Sequence, residues 1–583
     1  MTDALQRLLD TITGFLAENP LVGAWYTTVV RFVFPLLALM ILVGAIRSLW
    51  KVKHPDEVWG YLAMANGVRL PLTHWENIIG RAPACDVQLE YPSVSRQHAA
   101  LIREDDGSWT VYDLASKGGV TVNNLPVDEY AVVEDGDTVA FGGIPTMMMP
   151  ISAEEKREQM AERRIEGRPA GMWGSLVLLT LFQVLTALQL IVAAGDKATV
   201  TIPLTFLVLT LVCWGYFIVL RSFRRIGFEM ETIAFFLCTL SLAVTGSKVP
   251  EEMPKQLVAI LMGLALFLVL GFFLRDLTRA QKVRWFMGAA AVGMLVITLL
   301  IGSSQGGAKA WIRLGGMSLQ PSELAKICYI FAGAATLDRL FNKRNLWMFI
   351  GLTGICGACL ALQNDFGTAL VFFVTFLVIA FLRSGDFATL GLICGGCFAG
   401  GMLLLTIKPH VAARFSSWGH IWEDVYGAGF QQTHTLTAAA SGGMIGVGAG
   451  KGWLAGLAAA DTDIVFGMLC EEWGLIIAVL TILCIITLAV FAVRACRAGR
   501  SSFYTIAACA ATSLLVFQTC LNVFGAVDIL PFTGVTLPFV SNGGSSMLSA
   551  WGMLAFLKAT DTRQNASFAV KLPSRRELRG EVE

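Results

Sequence analysis

The stretch Gly474-Leu-Ile-Ile-Ala-Val-Leu-Thr-Ile-Leu-Cys-Ile-Ile-Thr-Leu-Ala-Val-Phe-Ala-Val493, closed by Arg494, decides the fold. It runs for 20 residues without a charge, and at about 1.5 Å per residue such a helix spans the roughly 30 Å hydrocarbon core of a bilayer. Working outward, about twelve further apolar stretches of roughly 17–25 residues repeat the pattern. One lies near 28–46. The rest lie near 172–194, 201–220, 229–246, 256–274, 285–302, 324–338, 346–363, 366–383, 387–407, 503–523 and 535–557, the quoted stretch belonging to 465–493. Composition agrees, because 55% of the 583 residues are hydrophobic and 15% charged, against roughly 25% charge in soluble domains. A mean hydropathy of +0.64 excludes a soluble or disordered chain. The 44 basic and 43 acidic residues nearly cancel, so no global field points to nucleic acid. The 13 Cys fall mostly inside apolar runs, as with Cys213, Cys238, Cys328, Cys484 and Cys509, and show no disulfide framework. The first span lacks a cleavage site and sits too far into the chain for a removable signal, so it is expected to be an anchor.

Lys and Arg gather on the cytoplasmic side of membrane proteins. Here they occupy alternate loops, with Arg47, Lys51 and Lys53 after the first span, Lys156, Arg157, Arg163, Arg164 and Arg168 before the second, then Arg221, Arg224 and Arg225, Arg275 to Arg284, Arg339 to Arg344, Arg383, and Arg494 to Arg500. With about thirteen spans the C-terminus lies inside and the N-terminus outside. The segments left outside are 303–323, 363–366, 408–464 and 524–534. Residues 55–150 differ, with period-2 runs such as Trp109-Thr-Val-Tyr-Asp-Leu114 and Val132 to Phe141, broken by Asp-Gly turns. The expected architecture is a polytopic α-helical membrane protein of about thirteen spans, with a small cytoplasmic all-β sandwich inserted after the first. Its parts are an extracytoplasmic N-terminus and anchor over 1–54, the sandwich over 55–150, a charged linker over 151–170, a multi-span domain over 171–560 and a cytoplasmic tail over 561–583.

Within the sandwich stand Gly80-Arg81, Ser95-Arg96-Gln97-His98, Asp113-Leu114-Ala115-Ser116-Lys117-Gly118-Gly119, Val122-Asn123 and Gly136-Asp137. In order and spacing this resembles the forkhead-associated (FHA) domain, a phosphothreonine reader. The resemblance implies that Arg81 and Ser95, with Arg96 nearby, bracket a phosphate by charge-assisted hydrogen bonds, and that His98 is architectural. It also implies a phosphothreonine protein or Ser/Thr kinase target as partner. Gly118-Gly119-Val120 stands where the family has Asn-Gly-Thr, so the peptide-gripping Asn is missing and binding is expected to be weakened or altered.

The outward segments hold Lys309-Ala310-Trp311-Ile312-Arg313, Gln320-Pro321-Ser322-Glu323-Leu324-Ala325-Lys326, Asp365-Phe366-Gly367-Thr368, Trp422-Glu423-Asp424 followed by Gly427-Ala428-Gly429-Phe430-Gln431, Asp461-Thr462-Asp463, Glu471-Glu472-Trp473-Gly474, and Leu537-Pro538 followed by Ser541-Asn542-Gly543-Gly544-Ser545-Ser546. Ionisable groups at a span entrance are functional or paired by default, and Glu323 is expected to pair with Lys326. Together these motifs resemble the SEDS family (FtsW, RodA and SpoVE types) of integral-membrane peptidoglycan glycosyltransferases, from about 303 to 558. Asn364 and Val425 replace usual prolines and His434 a usual Gln, which bears on substrate fine-tuning. Besides the first span, five spans precede the matching block where three are expected, leaving a surplus pair as an accessory elaboration.

The resemblance implies polymerisation of lipid II, in which the sugar hydroxyl of one unit attacks the anomeric carbon of another and polyprenyl pyrophosphate leaves. A carboxylate must accept the proton and cations must stabilise the leaving group. Asp463 matches the family's catalytic Asp; its bland alternative is a helix N-cap. Lys309 and Arg313, flanking Trp311, are the first cations to contact pyrophosphate, with Lys408, Arg414 and Lys451 on the same face. Glu323, Lys326, Asp365, Asp424, Gln431 and Ser545 complete the implied substrate site, while Glu471 and Glu472 are expected to be structural. No metal-ligand motif is present, and a divalent cation, Mg or Mn, would enter only as a bridge between carboxylate and pyrophosphate. A class B penicillin-binding protein is the implied partner. The rival functions are a lipid II flippase, which would string polar residues through the membrane interior, and a scaffold for a transpeptidase. Cys356-Gly-Ala-Cys359 and Cys394-Gly-Gly-Cys397 lie mid-span among small residues, where close helix packing is expected instead of metal or redox chemistry.

Overall fold

The computed structural model describes residues 2–51, 57–83, 85–104, 107–166, 171–305, 307–314, 317–337, 343–384, 387–407, 415, 418–497, 501–561 and 568. Every apolar stretch marked in the sequence holds a helix. Among the described residues, nine helices are long and apolar enough to cross a membrane. Helices Phe366–Ser384 and Phe387–Ile407 contain shorter apolar stretches, and Pro321–Leu337 and Gly544–Ala559 have 17 and 16 residues. The last of these corrects an expectation. The segment 535–557 is not one helix, because 535–543 is irregular and turn-rich and the helix begins at Gly544. Pro538 and the Gly543-Gly544 pair disfavour helix there. Helix Thr2–Glu18 was not foreseen, being too polar to register as a span; it turns Leu9 inward, 3% exposed, while Phe15 stays exposed.

Glu229–Lys248 is the axis of the bundle, buried on nearly all sides. A helix apolar all round belongs inside, and its small Thr, Ser, Ala and Gly side chains let neighbours approach. Helix Gly544–Ala559 packs along Met253–Phe273, where a Cβ on Gly263 would stand 2.5 Å from the Trp551 ring. At one end of the bundle Lys558 is buried against Glu231 at 3.2 Å and donates to the Gly227 carbonyl.

The inserted domain is a two-sheet sandwich. One sheet has strands Arg69–Leu72, Gly60–Met64, Ile144–Met149, Thr138–Phe141, Val120–Val122 and Leu125–Pro126 in spatial order. The other has Val87–Gln88, Glu76–Gly80, Ala99–Arg103, Trp109–Asp113 and Tyr130–Val133. Alternate residues point inward, so Leu62, Ile79, Leu101, Val111, Val139 and Phe141 form a core separate from that of the helices. The sandwich meets the helical part where Ser502 Oγ donates to the Glu76 carboxylate, at the start of helix Ser502–Ala526. The loops with the polar motifs gather at the other end of that helix.

Candidate active site and phosphopeptide face

Asp463 sits in the turn that enters helix Val465–Met468. Its backbone N–H donates to Ala459 O at 3.0 Å, and its carbonyl accepts from Asn522 Nδ2 at 2.9 Å. Asn522 also donates to Val535 O at 2.8 Å, so one amide inside helix Ser502–Ala526 ties the Asp463 turn to the 535 segment. The carboxylate faces Gly534, where a Cβ would lie 3.4 Å from Oδ2. The N-cap position of this helix is Ile464, one residue beyond Asp463. Two residues earlier Asp461, 6% exposed, takes Lys248 Nζ at 2.5 Å and Asn542 Nδ2 at 2.7 Å. Lys248 thereby adds a fifth segment, 248–252, to the four that sequence assigned to this end.

Two hydrogen-bond chains connect the remaining motifs. In the first, Gln320 Nε2 donates to Asp365 Oδ2 at 3.3 Å and the Gln320 backbone N–H to Ser545 Oγ at 2.9 Å. Thr368 N–H reaches Asp365 Oδ1 at 3.1 Å. Burial pushes the Asp365 carboxyl above the usual carboxylate range, which these donors and Lys326 only partly offset. In the second, Lys326 donates to Glu323 Oε1 at 2.7 Å and to Gln518 Oε1 at 3.2 Å. Gln518 Nε2 continues to Thr536, whose hydroxyl meets Ser546 Oγ at 2.8 Å. The expected Glu323–Lys326 pair is therefore present, and it is buried. One face-down residue, Gln363, donates to Leu295 O at 2.8 Å and was not singled out from sequence.

Ser303–Gln305, Ala308–Leu314 and Met317–Leu319 form a small three-stranded sheet over these chains. Alternation in a strand puts Lys309, Trp311 and Arg313 on one face, while Ala310 and Ile312 are buried on the other. The two cations differ: Lys309 Nζ is bound to Leu299 O at 2.6 Å, whereas Arg313 is exposed. Asp424 is exposed too, and its Oδ2 accepts Ala428 N–H at 2.9 Å in the tight turn that leads to half-buried Gln431. A Cβ on Gly427 would collide with that oxygen, which explains the glycine. Glu471 and Glu472, in the π-helical turn Leu469–Trp473, serve backbone groups, as expected of structural residues. Glu471 accepts Trp453 and Leu454 N–H at 3.0 Å each, and Glu472 accepts Gly450 N–H at 3.0 Å and Ser247 Oγ at 2.7 Å. Lys451 reaches Thr27 Oγ1 at 3.1 Å, while Lys408 and Arg414 lie outside the described residues. Among the described residues no group of three His, Cys, Asp or Glu side chains converges as a metal site.

On the sandwich, Arg81 and Arg96 are exposed and Ser95 Oγ accepts Lys117 N–H at 3.1 Å. Strand-edge bonds from Arg81 N–H to Ser95 O and from Ala82 N–H to Arg96 O, both 3.0 Å, bring the three loop residues side by side. His98, fully buried, accepts Ser95 N–H at Nδ1, 3.0 Å, and its Nε2 donates to Gly119 O at 3.0 Å, which fixes the loop from below. At Gly118 a Cβ would lie 2.7 Å from Gly142 Cα and 2.8 Å from Ser93 O. The missing Asn is thus more than a lost side chain, because this backbone has closed over its place.

The sequence profile of the FHA domain matches residues 77–142. The chain is 30% identical over 322 residues to the peptidoglycan glycosyltransferase RodA of Mycobacterium tuberculosis, covering 52% of this chain and 69% of that one. It is 34% identical over 265 residues to the probable peptidoglycan glycosyltransferase FtsW of Moranella endobia, covering 44% and 70%. A solved peptidoglycan synthase complex includes a chain 27% identical, with TM-score 0.48, covering 58% of this chain and 98% of that one. The profile of the FtsW/RodA/SpoVE cell cycle proteins matches residues 230–566, and the chain therefore belongs to that family, carrying an FHA domain ahead of the family core.

Proposed function

We propose that this chain joins lipid II units into glycan strands at the outer face of the cytoplasmic membrane. The observation that carries this function is the convergence of four separated segments on the Asp463 turn: Asn522 and the 535 segment hold it directly, and the Gln320–Asp365–Ser545 and Glu323–Lys326–Gln518–Thr536 chains lie beside it. Asp463 serves as the general base for the acceptor hydroxyl. Arg313, exposed on the strand face shared with Trp311, is the cation for the departing pyrophosphate. Lys309 and Lys326, engaged with Leu299 O and Glu323, shape the site from behind. Asp424, Gln431 and Ser545 border the substrate. In this arrangement about thirteen helical segments cross the bilayer, the sandwich is cytoplasmic, and the motif loops are extracytoplasmic. The ionisable groups of the motifs meet at one end of the bundle instead of being strung through the membrane interior, which favours an enzyme over a flippase.

The FHA domain reads a phosphothreonine on a regulatory protein through Arg81, Ser95 and Arg96, and a class B penicillin-binding protein is the transpeptidase partner. The test is polymerisation of fluorescent lipid II by the purified protein with its transpeptidase, comparing wild type with a folded Asp463→Asn variant. Strands from the first and none from the second are expected. Equal products would remove Asp463 as base, and none from either would return the function to a flippase or scaffold.

A further inference from the structure

Helix Pro20–Lys51 precedes the range matched by the family profile, yet it packs against Met172–Ala194, Glu229–Lys248 and Gly474–Arg497 of the bundle. Near the start of its apolar length stands one cation, Arg31, and a partly buried guanidinium there is costly unless it is paired or has a task. Arg31 Nε is buried and meets no hydrogen-bond partner within the protein. Arg31 lines a largely enclosed cavity of about 10 Å³ with Thr27, Gln189, Gly448, Glu472 and Trp473, which is room for one water-sized molecule. Three more atoms of these residues, Gln189 Oε1, Glu472 Oε1 and Trp473 Nε1, are likewise buried without a partner in the protein. Elsewhere these groups are engaged: Gln189 Nε2 donates to Ala449 O at 3.2 Å, and Glu472 Oε2 holds Gly450 and Ser247.

The four atoms are two donors and two acceptors, the complement of one water molecule. We propose that this cavity is a single-water site in which the water accepts from Arg31 and Trp473 and donates to Gln189 and Glu472, and that Arg31 acts through it as a positioning residue for the Asp463 turn. Glu472 is buried and its Oε2 is met by Gly450 N–H and Ser247 Oγ, so the water is the link between its Oε1 and the accessory helix. Lys451, held on the same helix by Thr27, lies close enough that burial and the Arg31 charge keep its ammonium below its ordinary pKa. Glu472 in turn fixes the glycine loop, and its π-helical turn follows directly on the short helix that Asp463 enters. The first span is then a clamp on the catalytic turn as well as the tether of the FHA domain.

The test uses full-length protein in detergent with Arg31→Met, Arg31→Lys, Glu472→Gln and the Arg31→Met/Glu472→Gln double variant. Arg31→Met is expected to lower the melting temperature and Glu472→Gln to restore most of it in the double variant, since a neutral side chain at 472 tolerates the loss of the bridged guanidinium. Additive shifts would overturn the link. The kinetic arm rests on the polymerase function proposed above: Arg31→Met should lower kcat on lipid II on the order of tenfold to a hundredfold with KM unchanged. Arg31→Lys should recover part of that rate, because it keeps charge but not the planar Nε–H. A lowered melting temperature with unchanged kcat per folded molecule would leave a strut and refute positioning. A high-resolution density map without a peak between the four atoms would refute the water site. If wild type itself makes no glycan, the polymerase function is what fails, and the melting cycle alone judges the Arg31–Glu472 link.

Discussion

Replacing Lys326 by Met tests whether the Glu323–Lys326 pair is held by burial or merely by proximity. Lys326 is 1% and Glu323 4% exposed. Removing Nζ strips Glu323 Oε1 of its 2.7 Å donor, and Oε2 already meets no partner within the protein. Gln518 Oε1 loses a donor as well. Breaking such a buried pair costs about 3–5 kcal/mol, whereas an exposed pair is worth at most about 1 kcal/mol. An internal comparison exists in Lys255–Glu252, at 3.9 Å and with side chains 65% and 44% exposed. Lys326→Met should therefore destabilise several-fold more than Lys255→Met, read as the midpoint of tryptophan-fluorescence melting in one detergent. Adding Glu323→Gln should recover more than half of the loss, leaving about 1 kcal/mol for the Gln518 bond. If Lys326→Met moves the midpoint no further than Lys255→Met, or if the double variant is worse than the single, the pair is not the buried anchor described above.

Restoring the family Asn by Gly118→Asn should harm the sandwich instead of repairing it. Contacts of 2.7 and 2.8 Å amount to overpacking, at about 1–3 kcal/mol and roughly 4–8 °C per kcal/mol in a domain this small; tighter phosphopeptide binding with an unchanged melt would contradict this. Arg81→Ala should weaken a phosphothreonine peptide roughly tenfold or more in calorimetry, the worth of a charge-assisted bond, and an unchanged affinity would remove the phosphate-reading role. Asp365 has its folded pKa raised by burial, so its ionised form is disfavoured in the folded state and stability falls as pH rises through that pKa. Asp365→Asn should accordingly raise the melting midpoint near about pH 8 and bring no gain near about pH 4; the same gain at both values would refute the burial argument.

Much of the candidate site was legible because its signals are local. The Glu323–Lys326 pair follows from a spacing of three residues on one helix, and Ser95 and His98 lie in one contiguous run with Arg81 in the loop before it. Lys248, Gln518, Asn522 and Gln363 were missed, although each had a signal: a Lys at the exit of a span, and amides inside apolar runs where a polar group needs a reason. Lys309 was chosen for its neighbour Trp311, but its ammonium turns to the carbonyl of Leu299, ten residues back. The exact N-cap position, Ile464, depends on where the chain enters the helix, which the sequence pattern leaves open by a residue.

By itself the sequence determined the order of the apolar helices, the inserted sandwich and the family of each domain, because hydropathy and periodicity are sums over neighbours along the chain. Only the tertiary structure decided which polar groups meet. Lys248 finds Asp461 at a separation of 213 residues, Gln320 finds Ser545 at 225, and Lys451 finds Thr27 at 424. Such pairs depend on which helices pack together and at what height, and that is set by the shape of small residues against large ones across the bundle. The same packing turned two carboxylates at 471 and 472 toward the backbone of a glycine loop and closed the place of an asparagine at Gly118, outcomes that no local pattern encodes.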